Sequence, residues 1–290
     1  MDPQTFMDVA TYVTKLKMYP YFDITHYALM CLIVRDDNQP STNSSSGSSI
    51  FSRKHPLACW ISSMLLCFGG SILANFLLGE PILTPFKNHH AILVASIVWY
   101  VINYSPFDLA YKISHFLPVK ICIYILKEIQ RTRKIYEGII IASKLYPGSY
   151  IIIAIIGVVK GAGAGQLLLL QRIIRGVWIK EHNEFLRPSF VTKASLLSSI
   201  VFICEREKFL TAPHVLIYFG IAMFLIYFRL SSLLLGIHDP FVPFENLFCA
   251  IFMGGMWDAL KRAVQRNKPE PEQNATTKND VKRKEEKKND

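Results

Sequence analysis

Apolar residues in this chain fall in long runs separated by short polar breaks. The runs predict seven helices, at about 19–34, 57–78, 89–104, 115–140, 148–178, 190–204 and 213–236. A helix needs about 20 residues to cross the hydrocarbon of a bilayer. Several runs reach that length, so the pattern predicts an all-α membrane protein with seven transmembrane helices. Residues 36–53 (DDNQPSTNSSSGSSIFSR) form a Ser/Gly-rich loop. A shorter apolar piece at 241–257 follows Pro240 and contains Pro243, which points to an interfacial or bundle-packed segment rather than a span. Beyond about residue 261 the chain is polar and predicted to be disordered.

The apolar pattern repeats. Ala91–Trp99 reads AILVASIVW and Ala194–Phe202 reads ASLLSSIVF, identical at five of nine positions. Each follows a helix that contains glycines, Cys67–Gly79 and Lys160–Gly176. Helices one to three therefore resemble helices four to six. A three-helix unit inserts its second copy upside down, which predicts two inverted three-helix repeats plus a seventh helix. The domain reading is a seven-helix unit over 1–240, with repeat one at about 18–104, repeat two at about 115–204 and helix seven at about 213–236. An interfacial segment at 241–260 and a basic tail at 261–290 complete it.

Composition agrees, with 51% hydrophobic and 19% charged residues. The net charge is +10, and the Lys/Arg-rich tail after the last helix predicts a cytosolic C-terminus. Glu270, Glu272, Glu285 and Glu286 interrupt that tail and it holds no aromatic residue, so nucleic-acid binding is not its reading. Lys/Arg placement among the loops favours an odd number of spans. Residues 1–17 are amphipathic and polar, so the first spanning helix is expected to serve as the insertion signal. Cys31, Cys59, Cys67, Cys122, Cys204 and Cys249 lie in or beside apolar runs and read as small core residues rather than a disulfide framework.

Charge inside the fourth helix changes the picture. Ile121–Lys134 reads ICIYILKEIQRTRK, and apolar residues resume at Ile139–Ile141, so the helix is expected to continue through its charges. A charge near a bilayer centre costs about 2.5–3.5 kcal/mol on insertion scales, so such residues line a polar cavity or bind something. Lys127, Arg131 and Lys134 share one face. A cationic stripe of this kind suits a lipid phosphate. Gly69 and Gly70 in the second helix match Gly161, Gly163 and Gly165 in the fifth, next to Lys160. Such clusters either allow close helix packing or free backbone carbonyls at a pore wall or hinge. The sequence has no catalytic cluster: HExxH, paired aspartates and Gly-x-Ser-x-Gly are missing, and the eight histidines are scattered. No metal site is expected. Lys287 and Lys288, close to the end at Asp290, match a dilysine retrieval signal.

These residues resemble the trimeric intracellular cation channel (TRIC) family, in its type B form. The family's fourth-helix hallmark, Lys-Glu-Val-x-Arg-x-x-Lys, stands here as Lys127-Glu128-Ile129-Gln130-Arg131-Thr132-Arg133-Lys134. Met18–Tyr27, Cys67–Ala74, Leu78–Pro81, Leu117–Lys120, Val159–Gly163, Arg175–Trp178 and Thr192–Leu196 also match, so the resemblance covers about residues 15–240. It implies a homotrimer of the endoplasmic or sarcoplasmic reticulum or nuclear membrane, with a pore in each subunit. It implies passive flow of potassium and sodium that balances charge as calcium leaves or re-enters the store. Phosphatidylinositol 4,5-bisphosphate would be the bound lipid, held by Lys127 and Arg131 with Lys134 at the edge. The glycine clusters would kink helices two and five around the pore. Two rivals are a small-solute transporter, which would use parallel repeats, and a non-conducting lipid-binding scaffold.

Overall fold

The computed structural model describes residues 3–37, 52–174, 188–236, 239–254, 257–258 and 262. Most of the 36–53 linker, residues 175–187 and nearly all of the tail lie outside the described residues. The described helices are α1 (Pro3–Lys15), α2 (Tyr21–Asp37), α3 (Pro56–Leu78), α4 (His89–Tyr104), α5 (Leu109–His115), α6 (Leu117–Leu145), α7 (Tyr150–Ile174), α8 (Phe190–Arg206), α9 (His214–Leu235) and α10 (Val242–Phe252). Among the described residues there is no strand. The chain forms two compact units, Met1–Pro240 and Phe241–Asp290; α10 belongs to the second.

Local chemistry sets the ends. A proline lies in the first turn of α3 and α6, where no intrahelical donor is lost. Gly79 closes α3 in the left-handed conformation (φ 72°), returning its N–H to Asn75 and Phe76 carbonyls. The Asn88 side chain accepts the Ala91 N–H at 3.3 Å and starts α4.

Two helices were not foreseen. The amphipathic N-terminal segment forms α1, which packs on α9 through an edge-to-face contact of Phe6 with Phe219 at 5.4 Å. The polar stretch after α4 turns through 89° into α5. Phe107 (φ 53°) and Asp108 (φ 55°) sit in left-handed backbone at that bend, uncommon for non-glycine residues. Buried Arg35 braces it. Its guanidinium donates to the Ile102 carbonyl at 2.6 Å, pairs with Asp108 at 3.0 Å and lies on the Tyr111 ring at 4.1 Å.

By length and composition, α3, α7 and α9 can each cross a membrane, or up to four spans if the bent α4–α5 pair counts as one. α2 and α8 have 17 residues and α4 has 16, while α6 has 29 but carries the charges. The continuous run through the charges makes α6 one helix from Leu117 to Leu145.

The centre of the first unit is the crossing of α3 and α7, and α7 also packs against α6 and α8. Glycine permits that crossing. A Cβ on Gly70 would lie 2.7 Å from the Lys160 carbonyl oxygen, and one on Gly163 would lie 2.7 Å from the Gly70 Cα. Beside it, α6, α8 and α9 share an aromatic cluster of Tyr136, Phe202, His214 and Tyr218, with Phe202 and Tyr218 fully buried. Cys31, Cys59 and Cys67 are core residues, whereas Cys122 and Cys249 are exposed and Cys204 is half-buried; all six are free thiols. The core reading therefore fails for Cys122 and Cys249, which lie on outward faces of their helices.

Candidate functional site

The site grows from α6. Five consecutive or near-consecutive polar residues, Lys127, Glu128, Gln130, Arg131 and Thr132, are all buried on one helix. Burying charge is expensive unless partners replace water, and each charge here has partners. Arg131 forms an ion pair with Glu128 one turn earlier, and its Nε donates to the Gly161 carbonyl at 3.2 Å. Thr132 returns its hydroxyl to the Glu128 carbonyl at 3.0 Å. Glu128 Oε1 has no hydrogen-bond partner among the described residues.

Lys127 is held from α2. Its Nζ lies 2.6 Å from His26 Nδ1 and donates to Gln130 Oε1 at 3.2 Å. Gln130 in turn donates to Asp23 Oδ1 at 2.6 Å. His26 Nε2 reaches the Cys67 carbonyl of α3 at 2.9 Å. An unbroken polar chain thus runs Asp23–Gln130–Lys127–His26–Cys67 across α2, α6 and α3. Asp23 and His26 were not singled out from sequence. Their signal was present all the same, since an aspartate and a histidine three residues apart in an apolar helix share one face.

Two cavities flank Lys127. One, of about 240 Å³, holds Asp23, His26, Ser71, Asn88, Lys134 and Lys160. The other, of about 140 Å³, holds Arg131, Gly165, Ser189 and Arg229. Leu66, Lys127, Gly161 and Ala164 line both, so they form the partition between them. Lys127 is the charged member of that partition.

The sequence-predicted residues therefore divide. Lys127 and Arg131 meet at the smaller cavity. Lys134 lies on the other side, 38% exposed and 4.0 Å from Glu137. Lys160 is half-buried in the larger cavity, with Nζ 3.4 Å from Ser71 Oγ. Gly69, Gly70 and Gly163 lie at the α3–α7 crossing. A Cβ at Gly161 would meet Ile135 and Ser195. Gly165 is exposed to the smaller cavity. Both α3 and α7 remain helical without interruption through these glycines, so close approach of backbones is what the glycines do in this conformation. Arg229, which has no partner evident in sequence, stacks over the Tyr124 ring at 4.4 Å. Arg172 does not simply snorkel to the interface; it pairs with Asp37 at 2.5 Å.

Several comparisons bear on this arrangement. A family model described as TRIC channel matches residues 45–236. Trimeric intracellular cation channel type 1B.1 of Caenorhabditis elegans is 51% identical over 91% of this chain and 88% of its own length. The type A channel of Rattus norvegicus is 38% identical over 86% of this chain and 82% of its own. A solved trimeric intracellular cation channel from C. elegans, without Ca2+, superposes with a TM-score of 0.76 at 49% identity, over 82% of this chain and 100% of that one. A second structure, from work on TRIC counter-ion channels in calcium release, gives a TM-score of 0.71 at 33% identity, over 79% and 99%. These relatives are ion channels, not enzymes. The buried cationic partition, the glycine crossing and these similarities converge: the chain is a multi-pass membrane protein of the TRIC channel family.

Proposed function

We propose that this chain is a monovalent-cation channel of the endoplasmic or sarcoplasmic reticulum. It conducts potassium and sodium as the counter-ion current for calcium release and uptake. The observation that carries this reading is the pair of cavities within one subunit, divided by Lys127, Leu66, Gly161 and Ala164. Such a path needs no second chain, so each subunit of a homotrimer has its own pore. The names of the relatives, which are trimeric cation channels, support the trimer. Seven spans in two inverted repeats supply the walls, α2–α4 and α6–α8, with α9 added. Residues 1–240 form the channel, 241–260 an interfacial segment and 261–290 a cytosolic tail.

A phosphoinositide such as phosphatidylinositol 4,5-bisphosphate regulates the pore in this reading. The residues fit an anionic group, since Lys127, Arg131 and Arg229 surround the smaller cavity and Glu128 is the neighbouring carboxylate. The excess positive charge favours a phosphate, and Lys134 stands one turn away from Arg131. A bound phosphate also lowers the electrostatic barrier that these cations raise against permeant cations.

The test is single-channel recording of the purified full-length protein in a planar bilayer under a potassium gradient, with and without the lipid. Discrete openings with a cation-selective reversal potential are expected. Silence from folded trimer in both conditions overturns the channel and leaves the scaffold. Lys127→Ala combined with Arg131→Ala is expected to weaken lipid binding about a hundredfold or more, each charge-assisted contact being worth ~1.5–3 kcal/mol. Unchanged lipid affinity removes these two residues from that role.

A further inference from the structure

With Lys127 charged, the hydrogen-bond pattern around His26 fixes the chemical state of the ring. An ammonium can only donate, so His26 Nδ1, 2.6 Å from Lys127 Nζ, is an acceptor. A carbonyl oxygen can only accept, so Nε2, 2.9 Å from the Cys67 oxygen, bears the hydrogen. The ring is therefore neutral and in one tautomer. It has no remaining nitrogen, and its two bonds tie α6 to α3 through α2.

We infer that His26 is a positioning residue for conduction: as a neutral acceptor it holds the Lys127 ammonium at the partition between the two cavities, and its protonation frees that ammonium. The inference rests on reading Lys127 as a wall of the ion path. A proton on Nδ1 would set a donor against a donor and a cation against a cation. The surroundings offer little compensation. On α2 itself Asp23 is bound to Gln130, and Tyr27 is the other titratable neighbour. From α3 comes the Cys67 thiol; from α6 come Lys127, Arg131 and Lys134. Lys160 of α7 lines the same cavity. The nearby carboxylates are engaged elsewhere: Asp23 accepts from Gln130, Glu128 pairs with Arg131, and Glu137 lies 4.0 Å from Lys134. Displaced from His26, the ammonium has the other cavity on its far side, where Arg131 and Arg229 already lie.

Two variants of the full chain separate this role from packing. His26→Asn keeps an acceptor and a donor but does not titrate. His26→Phe keeps a ring and neither bond. The first readout is the rate at which Lys127 reacts with an amine-modifying reagent at neutral pH, quantified by peptide mass spectrometry. It needs no current. His26→Phe is expected to raise that rate several-fold and His26→Asn to stay near wild type. The second readout is open probability from about pH 7.5 down to about pH 4.5, a span that reaches below the range in which an ordinary histidine titrates. Wild type is expected to change several-fold and His26→Asn to stay flat.

Unchanged Lys127 reactivity in a trimeric His26→Phe protein overturns the tether, as does an acid response in His26→Asn equal to wild type. If His26→Phe does not assemble, the pH profile of His26→Asn against wild type decides. Altered reactivity with electrically silent protein would sink the channel reading while leaving the tether. Normal cation current with unaltered reactivity would do the reverse.

Discussion

At the scale of single residues, the site shows how a buried helix keeps charges that an apolar interior would reject. Arg131 has Glu128 and a backbone carbonyl, and Lys127 has His26 and Gln130. Polar neighbours replace the lost water, and the helix stays in register with its apolar turns on either side. Glycine makes the complementary contribution, because backbone can then touch backbone. Gly70→Ala would place a methyl 2.7 Å from the Lys160 carbonyl, an atom that cannot rotate away. We expect a loss of ~1–3 kcal/mol, the usual cost of overpacking, read as a lower melting temperature of the detergent-solubilised protein. Gly220→Ala meets nothing within 4 Å in the subunit and is expected to leave subunit melting unchanged or slightly raised. Equal losses at both positions would remove the special place of the α3–α7 crossing.

At the scale of elements, the bend between α4 and α5 is the least regular part of the fold. Its 89° turn rests on two left-handed residues and on Arg35 reaching over from α2. Arg35 is buried, whereas Asp108 is 36% exposed. The two partners should therefore not be equivalent. Arg35→Leu leaves the Ile102 carbonyl without its donor and is expected to cost ~1–3 kcal/mol. Asp108→Asn removes a half-solvated charge and is expected to cost under ~1 kcal/mol. Thermal unfolding of the two variants side by side checks the order; a larger loss at Asp108 would mean that the buried Arg35 charge depends on its carboxylate more than the bend depends on the Arg35–Ile102 bond.

At the scale of the molecule, α3 and α7 cross at the centre of the first unit, and polar links join further helices within it. Arg172 near the end of α7 pairs with Asp37 at the end of α2, both largely buried. Arg172→Asp is expected to destabilise by ~1–3 kcal/mol, between the exposed and buried regimes. Combining it with Asp37→Arg should recover part of that loss in a double-mutant cycle. No recovery would show that Asp37 answers to its other neighbours instead.

The sequence by itself determined the apolar helices and the polar seam. Apolar period and length set α4 at His89–Tyr104 and α3 at Pro56–Leu78 within a residue of their predicted limits, because proline, asparagine and glycine mark those ends locally. The resumption of apolar residues after Lys134 likewise decided that α6 runs on through its charges. α1 and α5 escaped because a short amphipathic or polar segment becomes helical only when a neighbour such as α9, or a brace such as Arg35, stabilises it. The hallmark in α6 was legible as a cationic face. That Lys127 divides two cavities while Lys134 stands to one side was not, because the partition is formed jointly by α3, α6 and α7. The pairing of Lys127 with His26 spans 101 residues of sequence, and only the packing of α2 against α6 brings those two groups within hydrogen-bonding distance.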